Sequence, residues 1–223
     1  MTTFPIFSLH VDALPSATRR AFEYLSSAQF LKQPGWYLAG GTALALQVGH
    51  RQSVDLDFFR DRPFQEERVE RNLFETGTWV TNLRSSGTLY GEFMGAKASF
   101  ITYPFFKPSR TRVHYGTISI LTPADIAAMK IIAISQRGKK RDFIDLFWYC
   151  ANEASLEEVM RSAIAQYPDK KHNIPHFFKS LVYFTDAESD PLPKLFFKAD
   201  WKTVKAYFKR EVPIIAKKLL RLE

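Results

Sequence analysis

Apolar and polar positions repeat with two different periods along the chain, and the change of period divides it into two unlike halves. From Ser16, the segment SATRRAFEYLSSAQFLK places Ala17, Ala21, Tyr24, Leu25, Phe30 and Leu31 at helical spacing. This predicts an amphipathic helix with Ser16, after Pro15, as its N-cap. Pro34-Gly35 ends it, and the apolar run Trp36 to Ala39 starts a first strand. After Gly40-Gly41, the residues Thr42 to Val48 suit a short helix packed under a sheet. A second apolar run, Val54 to Phe59, holds Asp55 and Asp57. Strand periodicity would project both carboxylates from one face.

Pro63 and the charged run Gln65 to Arg71 predict a surface helix reaching about Thr76. Stretches around Trp79 to Leu83, Leu89 to Met94 and Ala98 to Tyr103, separated by Ser85-Ser86-Gly87 and Gly95, predict an antiparallel meander. Thr117 to Leu121 adds one more strand. Thr122-Pro123 then opens a helical half, with segments at 123–136, 140–152, 155–166, 173–181 and 199–220 and a loop from Asp186 to Pro193. Pro175 fits a first turn, whereas Pro213 is expected to kink or divide the last helix. The expected fold class is α+β. A mixed β-sheet with flanking helices over residues 1–121 is followed by a helical region over 122–223 that completes a cleft.

Hydrophobic residues make up 46% of the 223 and charged residues 24%, enough apolar material for a sizeable core and too much for a disordered chain. The single cysteine, Cys150, excludes an internal disulfide and a cysteine-rich zinc site. The opening MTTFPIF lacks the basic head and long apolar core of a signal peptide, and no run approaches the ~18 apolar residues of a membrane span. A cytoplasmic protein with no membrane partner is expected. Net charge is +8, from 31 Lys+Arg against 23 Asp+Glu, with basic clusters at 137–141, 170–172 and near the C-terminus. Such a balance favours polyanionic partners, although each cluster could equally be a solvated helix face.

Strand, glycine pair, helix and Asp-x-Asp strand together suggest chemistry. Glycine lets backbone approach an anion, and unpaired amides at a helix start can bind phosphate. Asp55 and Asp57 could hold Mg²⁺ or Mn²⁺, as an ion that takes one or two carboxylates together with phosphate oxygens. Either feature alone is commonplace. Here Val54, Leu56, Phe58 and Phe59 surround the carboxylates, and charges in so apolar a setting need a metal, a cation or hydrogen bonds. The combination reads as a phosphoryl- or nucleotidyl-transfer site. Lys130, alone in the apolar segment AAMKIIAI, either meets a phosphate or snorkels to solvent. Arg141, Asp142 and Asp145 can share one side of a helix, so an Arg141–Asp145 ion pair competes with a role for Asp142 or Asp145 at the nucleotide or acceptor. His50, without a partner at metal spacing, reads as a loop or packing residue.

GGTALALQVGHRQSVDLDFF resembles the first motif of the AbiEii-type nucleotidyltransferase toxins, within the DNA polymerase β-like nucleotidyltransferase superfamily. LTPADIAAMKIIAISQRGKKRDFIDLFWY resembles that family's later motif. The resemblance implies a nucleotidyltransferase-like fold, an NTP substrate, a divalent metal and an antitoxin partner. It assigns phosphate binding to Gly40, Gly41 and Thr42, and metal to Asp55 and Asp57. Arg51 and Ser53 match its Arg-x-Ser, for triphosphate binding or orientation of the aspartates, with a counter-ion role as the alternative for Arg51. Lys130, Asp142 and Asp145 complete the catalytic set, with Lys130 as a phosphate contact. In one respect the chain departs from the pattern. The third carboxylate expected on a following strand is missing from residues 97–104, where Ser99 and Thr102 stand, and Glu92 is the nearest acid. The expected activity is transfer of NMP to a macromolecular hydroxyl, on RNA such as tRNA or on protein. A catalytically weak nucleotide-binding or protein-interaction module is the alternative.

Overall fold

The computed structural model describes residues 9–32, 35–75, 78–109, 111–168 and 173–220. Strand β1 (Tyr37–Ala39) runs antiparallel to β2 (Leu56–Arg60), and β2 runs parallel to β5 (Ala96–Thr102). A parallel pair needs a long crossover. Helix α3 (Glu66–Phe74) and the hairpin of β3 (Trp79–Ser85) and β4 (Thr88–Phe93) supply it. On the other side of β1 lie β7 (Ile118–Ile120), parallel to it, and β6 (Val113–Tyr115) at the edge. The sheet order is β3-β4-β5-β2-β1-β7-β6.

Register gives the sheet two different faces. Ile120, Leu38, Phe58, Phe100 and Leu89 form one continuous row across five strands, and all are buried. The Phe100 ring is its centre, with ring centroids 5.2 Å from Phe58, 5.6 Å from Trp36, 6.0 Å from Phe30 and 6.3 Å from Trp79. Helix α1 (Ser16–Leu25) covers this layer with Phe22 and Leu25. One position along, the row Ala39, Asp57, Ser99 and Tyr90 points from the opposite face. The Asp57 carboxylate is therefore one step of pleat away from the densest part of the core.

Helix α2 (Gly40–Val48) is apolar nearly all round because it lies between β1 and β2 on one side and α4 (Pro123–Arg137) and α5 (Lys140–Asn152) on the other. Gln47 pins it by donating to the Leu121 carbonyl at 2.9 Å. Thr122 caps α4, with Pro123 in its first turn, as expected. Next come α6 (Leu156–Gln166), α7 (Ile174–Leu181) with Pro175 in its first turn, a short α8 (Thr185–Glu188) that overlaps the start of the stretch read as loop, and α9 (Trp201–Leu220).

Several expectations are corrected. Pro15, not Ser16, occupies the α1 cap position, and no side chain caps there. That helix stops at Leu25, where Ser26 and Ser27 hydroxyls donate to the Glu23 and Tyr24 carbonyls and compete with further helix. Residues 29–32 form a separate 3₁₀ turn. Strand β2 begins at Leu56 rather than Val54, because the Asp55 carbonyl accepts a hydrogen bond from the Thr42 hydroxyl instead of joining the ladder. Strand β6 was not anticipated. Pro213 does not divide α9: it and Lys209, whose carbonyl loses its helical donor, both lie on the exposed face where water can replace the bond. The expected helix end at Thr76, the breaker Pro34 and the basic cluster at 170–172 fall outside the described residues. Among the described residues, no helix is long and apolar enough to cross a membrane.

Replacing Phe100 by alanine removes the ring on which four aromatic neighbours converge. The expected loss is about 3–5 kcal/mol of unfolding free energy, checked by equilibrium urea unfolding.

Candidate active site

The turn between β1 and α2 contains no loop. Ala39 is extended, and Gly40 adopts φ +72°, a conformation glycine enters without steric cost. A Cβ on Gly40 would lie 2.9 Å from Asp57 Oδ2, and one on Gly41 would lie 2.0 Å from Arg51 Nη2. The two glycines thus let a carboxylate and a guanidinium reach the start of a helix. The Thr42 hydroxyl is 2.9 Å from the Ser53 hydroxyl and donates to the Asp55 carbonyl, which ties the helix to the segment leading into β2. Thr42 and Ser53 thereby set the backbone on which Asp55 stands.

Asp57 Oδ1 accepts a hydrogen bond from Ser99 Oγ at 2.7 Å, directly across the β2–β5 ladder. Asp55 Oδ2 accepts from Arg141 Nη1 at 2.7 Å. Burial pushes the Asp57 carboxyl above its usual range; the Ser99 bond opposes this and the negative charge of Asp55 adds to it. Asp57 still has some solvent contact, so this rise reflects the protein packed around the carboxylate rather than complete enclosure. Asp55 Oδ1 and Asp57 Oδ2 have no hydrogen-bond donor among the described residues. Two nearby carboxylates, one of them poorly stabilised as an anion, fit a hard divalent cation. Among the described residues no group of three His, Cys, Asp or Glu side chains gathers into a metal site, so further ligands would have to be substrate oxygens or water. Glu92 pairs with Lys97 on the Asp57 face, exposed and two strands from β2, about 10 Å across the sheet.

Behind the glycines lies a buried ionic network. Asp145 accepts from Arg51 Nε at 2.6 Å and Nη2 at 2.9 Å, and from His50 Nε2 at 2.7 Å; Lys130 Nζ lies 2.6 Å away. Lys130 Nζ also donates to Asp142 Oδ1 at 2.6 Å, and Arg137 Nε to Asp142 Oδ2 at 2.9 Å. The hairpin of α4 and α5 makes this possible, since Asp142 and Asp145 are three residues apart on the α5 face turned to Lys130. Burial alone would raise both carboxyls. For Asp145 the charges of Arg51 and Lys130 outweigh it and hold the group well below the usual carboxylate range. Lys130 and Arg137 likewise lower Asp142. Burial lowers the pKa of His50, despite its bond to Asp145, and Nδ1 is buried without a hydrogen-bond partner among the described residues.

The residues singled out from sequence thus form two adjoining groups. Asp55, Asp57, Gly40, Gly41, Thr42 and Ser53 meet at the turn. Arg51, Lys130, Asp142 and Asp145 meet behind it, with Arg51 as counter-ion to Asp145. The Arg141–Asp145 pair weighed from spacing does not form, because Arg141 turns to Asp55. Ser99, which stands where the third carboxylate is expected, faces Asp57. Two features escaped the sequence reading: His50 joins the Asp145 network, and the chain around Leu195 bridges to Arg51. For His50 a signal existed: it precedes Arg51, while Asp145 lies in an apolar helix and demands donors. The 195 region carried none.

The bridge consists of Gln52 N donating to the Lys194 carbonyl at 2.8 Å and Phe196 N donating to the His50 carbonyl at 2.9 Å. Between it and the start of α5 lies a cavity of about 380 Å³, lined by Arg51 to Val54, Lys139, Arg141 and the loop at Asp190 and Lys194. It adjoins Asp55 through Arg141.

Because Lys130 neutralises two buried carboxylates, Lys130→Met is expected to cost about 3–5 kcal/mol of stability in urea unfolding. Arg161→Ala, which breaks an exposed pair with Glu157, should leave the unfolding midpoint nearly unchanged. The pH dependence has two signs. Asp142, Asp145 and His50 have lowered folded pKa values, so their stabilisation is complete above the unfolded values. It fades as pH falls below about 6.5 for His50 and below about 4 for the aspartates. Asp57, raised on folding, acts oppositely: its cost to the folded state sets in as pH rises above the unfolded carboxylate value of about 4 and is complete above its folded pKa. In EDTA, Asp57→Asn should therefore raise the melting temperature at pH 7, with little change at pH 3, as calorimetry would show.

Residues 23–82 and 100–219 match the model of the nucleotidyl transferase AbiEii toxin family, of Type IV toxin–antitoxin systems. An uncharacterized protein of Aquifex aeolicus (strain VF5), aq_aa25, is 35% identical over 182 residues, which cover 79% of this chain and 86% of that one. Among solved structures, JHP933 from Helicobacter pylori is similar with a TM-score of 0.54 at 19% identity, over 93% of this chain and 95% of that one. MenT4, a nucleotidyltransferase toxin from Mycobacterium tuberculosis H37Rv, gives 0.53 at 16% identity, over 93% and 87%. At such identities these two structures speak for the fold, and the family match for more: the chain belongs to the AbiEii nucleotidyltransferase toxin family.

Proposed function

We propose that this nucleotidyltransferase transfers NMP from an NTP to a hydroxyl of RNA, tRNA being the favoured class, with Asp55 and Asp57 holding Mg²⁺ or Mn²⁺. The observation that carries this reading is the carboxylate pair itself, set against the glycine turn with a free oxygen on each residue and with Asp57 raised by burial. A divalent ion there would neutralise charge at the attacked phosphorus and acidify the acceptor hydroxyl. The acceptor oxygen bonds to the α-phosphorus as the bond to the pyrophosphate oxygen breaks, pyrophosphate leaves, and the hydroxyl proton passes to solvent or to a carboxylate.

The chain's own groups divide that work. Ser99 holds Asp57 by a hydrogen bond and Gly40 leaves room for it, while Thr42 and Ser53 hold the backbone of Asp55. The opening of α2 at Gly40, Gly41 and Thr42 offers helix-start amides to phosphate. Arg51, Lys130, Asp142 and Asp145 serve as positioning residues, since each is buried and charge-paired. Held below the usual range, Asp142 and Asp145 are weak bases and poor substitutes for the absent third carboxylate. RNA is favoured over a protein acceptor by the net charge of +8 and by Lys139 and Lys194 at the cavity beside Asp55. The family match supports an antitoxin as a partner.

Ser99 opposite Asp57 favours a second reading, a nucleotide-binding module with little turnover. Incubation with labelled NTPs, Mg²⁺ and total RNA or cell extract separates the two. Label is expected in RNA, reduced at least about 100-fold by Asp55→Ala with Asp57→Ala. Undiminished labelling by that double variant would refute the assignment, and label in protein would move the acceptor.

A further inference from the structure

We propose that Arg141 is a triphosphate-binding residue, kept in place by Asp55 until metal and nucleotide arrive; this rests on the reading of Asp55 and Asp57 as metal ligands. Two guanidinium groups border the site, and they differ in what they have left to offer. Arg51 is buried and uses Nε, Nη1 and Nη2 on Asp145 and the Gln52 carbonyl. Arg141 has five N–H donors, of which only Nη1 has an acceptor among the described residues. Its side chain is 45% exposed and lines the cavity of about 380 Å³ beside Asp55.

The backbone beneath Arg141 is fixed, while its side chain is held by a half-exposed ion pair to Asp55. Asp142 and Asp145, one and four residues on, are locked to Lys130 and Arg51, and the Lys140 amide donates to Asp190 Oδ2 at 3.0 Å. Around the cavity, Lys139 and Lys194 add positive charge. The acid in the wall, Asp190, is already paired with Lys139 at 3.3 Å. This is a setting for a polyanion. A guanidinium and a divalent cation compete for the same Asp55 carboxylate, and a half-exposed ion pair is readily broken. Once released, the planar fork suits two phosphate oxygens at once, which an ammonium does not.

The test uses the full chain with Mn²⁺ followed by electron paramagnetic resonance, and inorganic tripolyphosphate as a base-independent probe followed by calorimetry. For Mn²⁺ alone, Arg141→Ala should bind about two- to fivefold more tightly than the unsubstituted protein, since a competitor is gone. For tripolyphosphate with Mn²⁺, Arg141→Ala should bind about ten- to a hundredfold more weakly, and Arg141→Lys should fall between. Because Arg141 is half exposed, unchanged melting curves are expected for both variants. Equal tripolyphosphate affinity in Arg141→Ala, weaker Mn²⁺ binding by it, or no tripolyphosphate binding by the unsubstituted protein would each overturn the proposal. Asp57→Asn separates the two levels. If it keeps full Mn²⁺ affinity, the metal reading and this inference fall together; if it loses Mn²⁺ while Arg141→Ala keeps the probe, only this inference falls.

Discussion

Three side chains deliver four close donor contacts to one buried carboxylate, that of Asp145, and the site is built outward from it. An ionised aspartate without such partners could not remain in this interior. Its partners come from separate parts of the chain: His50 and Arg51 from the segment between α2 and β2, and Lys130 from α4. One carboxylate thereby joins the sheet-bearing half to the helical half. Ion pairs of this kind add little net stability, because desolvation offsets most of the attraction, yet loss of one partner is costly. Their effect is to specify one arrangement. Gly41 is part of the same constraint, since any side chain there would collide with Arg51.

Asp55 and Asp57 stand in front of this support, and the fold treats the carboxylates of the two groups differently. Asp142 and Asp145 are compensated by cations and held as anions, whereas Asp57 is disfavoured as an anion by burial and by Asp55. The fold thus pays for an uncompensated charge at the place where a cation would be used. Ser99, opposite Asp57, supplies a hydrogen bond where a further carboxylate would supply charge.

Much of this was legible in the residues. The strand, glycine pair, helix and carboxylate strand are short-range features whose periods and turn residues agree, and they appear within a residue or two of the expected bounds. Thr122-Pro123 and Pro175 marked helix starts because capping and a fixed φ act locally. Long-range pairing was less accessible. Spacing on α5 allowed Arg141 to meet Asp145, but three-dimensional packing gave Asp145 to Arg51 and Arg141 to Asp55. Neither the bridge from Arg51 to Leu195 nor Ser99 facing Asp57 has a local signature, since both arise from register and chain crossing.

Asp145 and Arg51 act as one unit holding the glycine turn and the segment before β2 in register. This is measured by a double-mutant cycle on unfolding free energy, with Arg51→Ala, Asp145→Ala and both together. A coupling energy of about 2–3 kcal/mol is expected, the double variant being far less destabilised than the sum of the singles. Additivity within about 0.5 kcal/mol would contradict it.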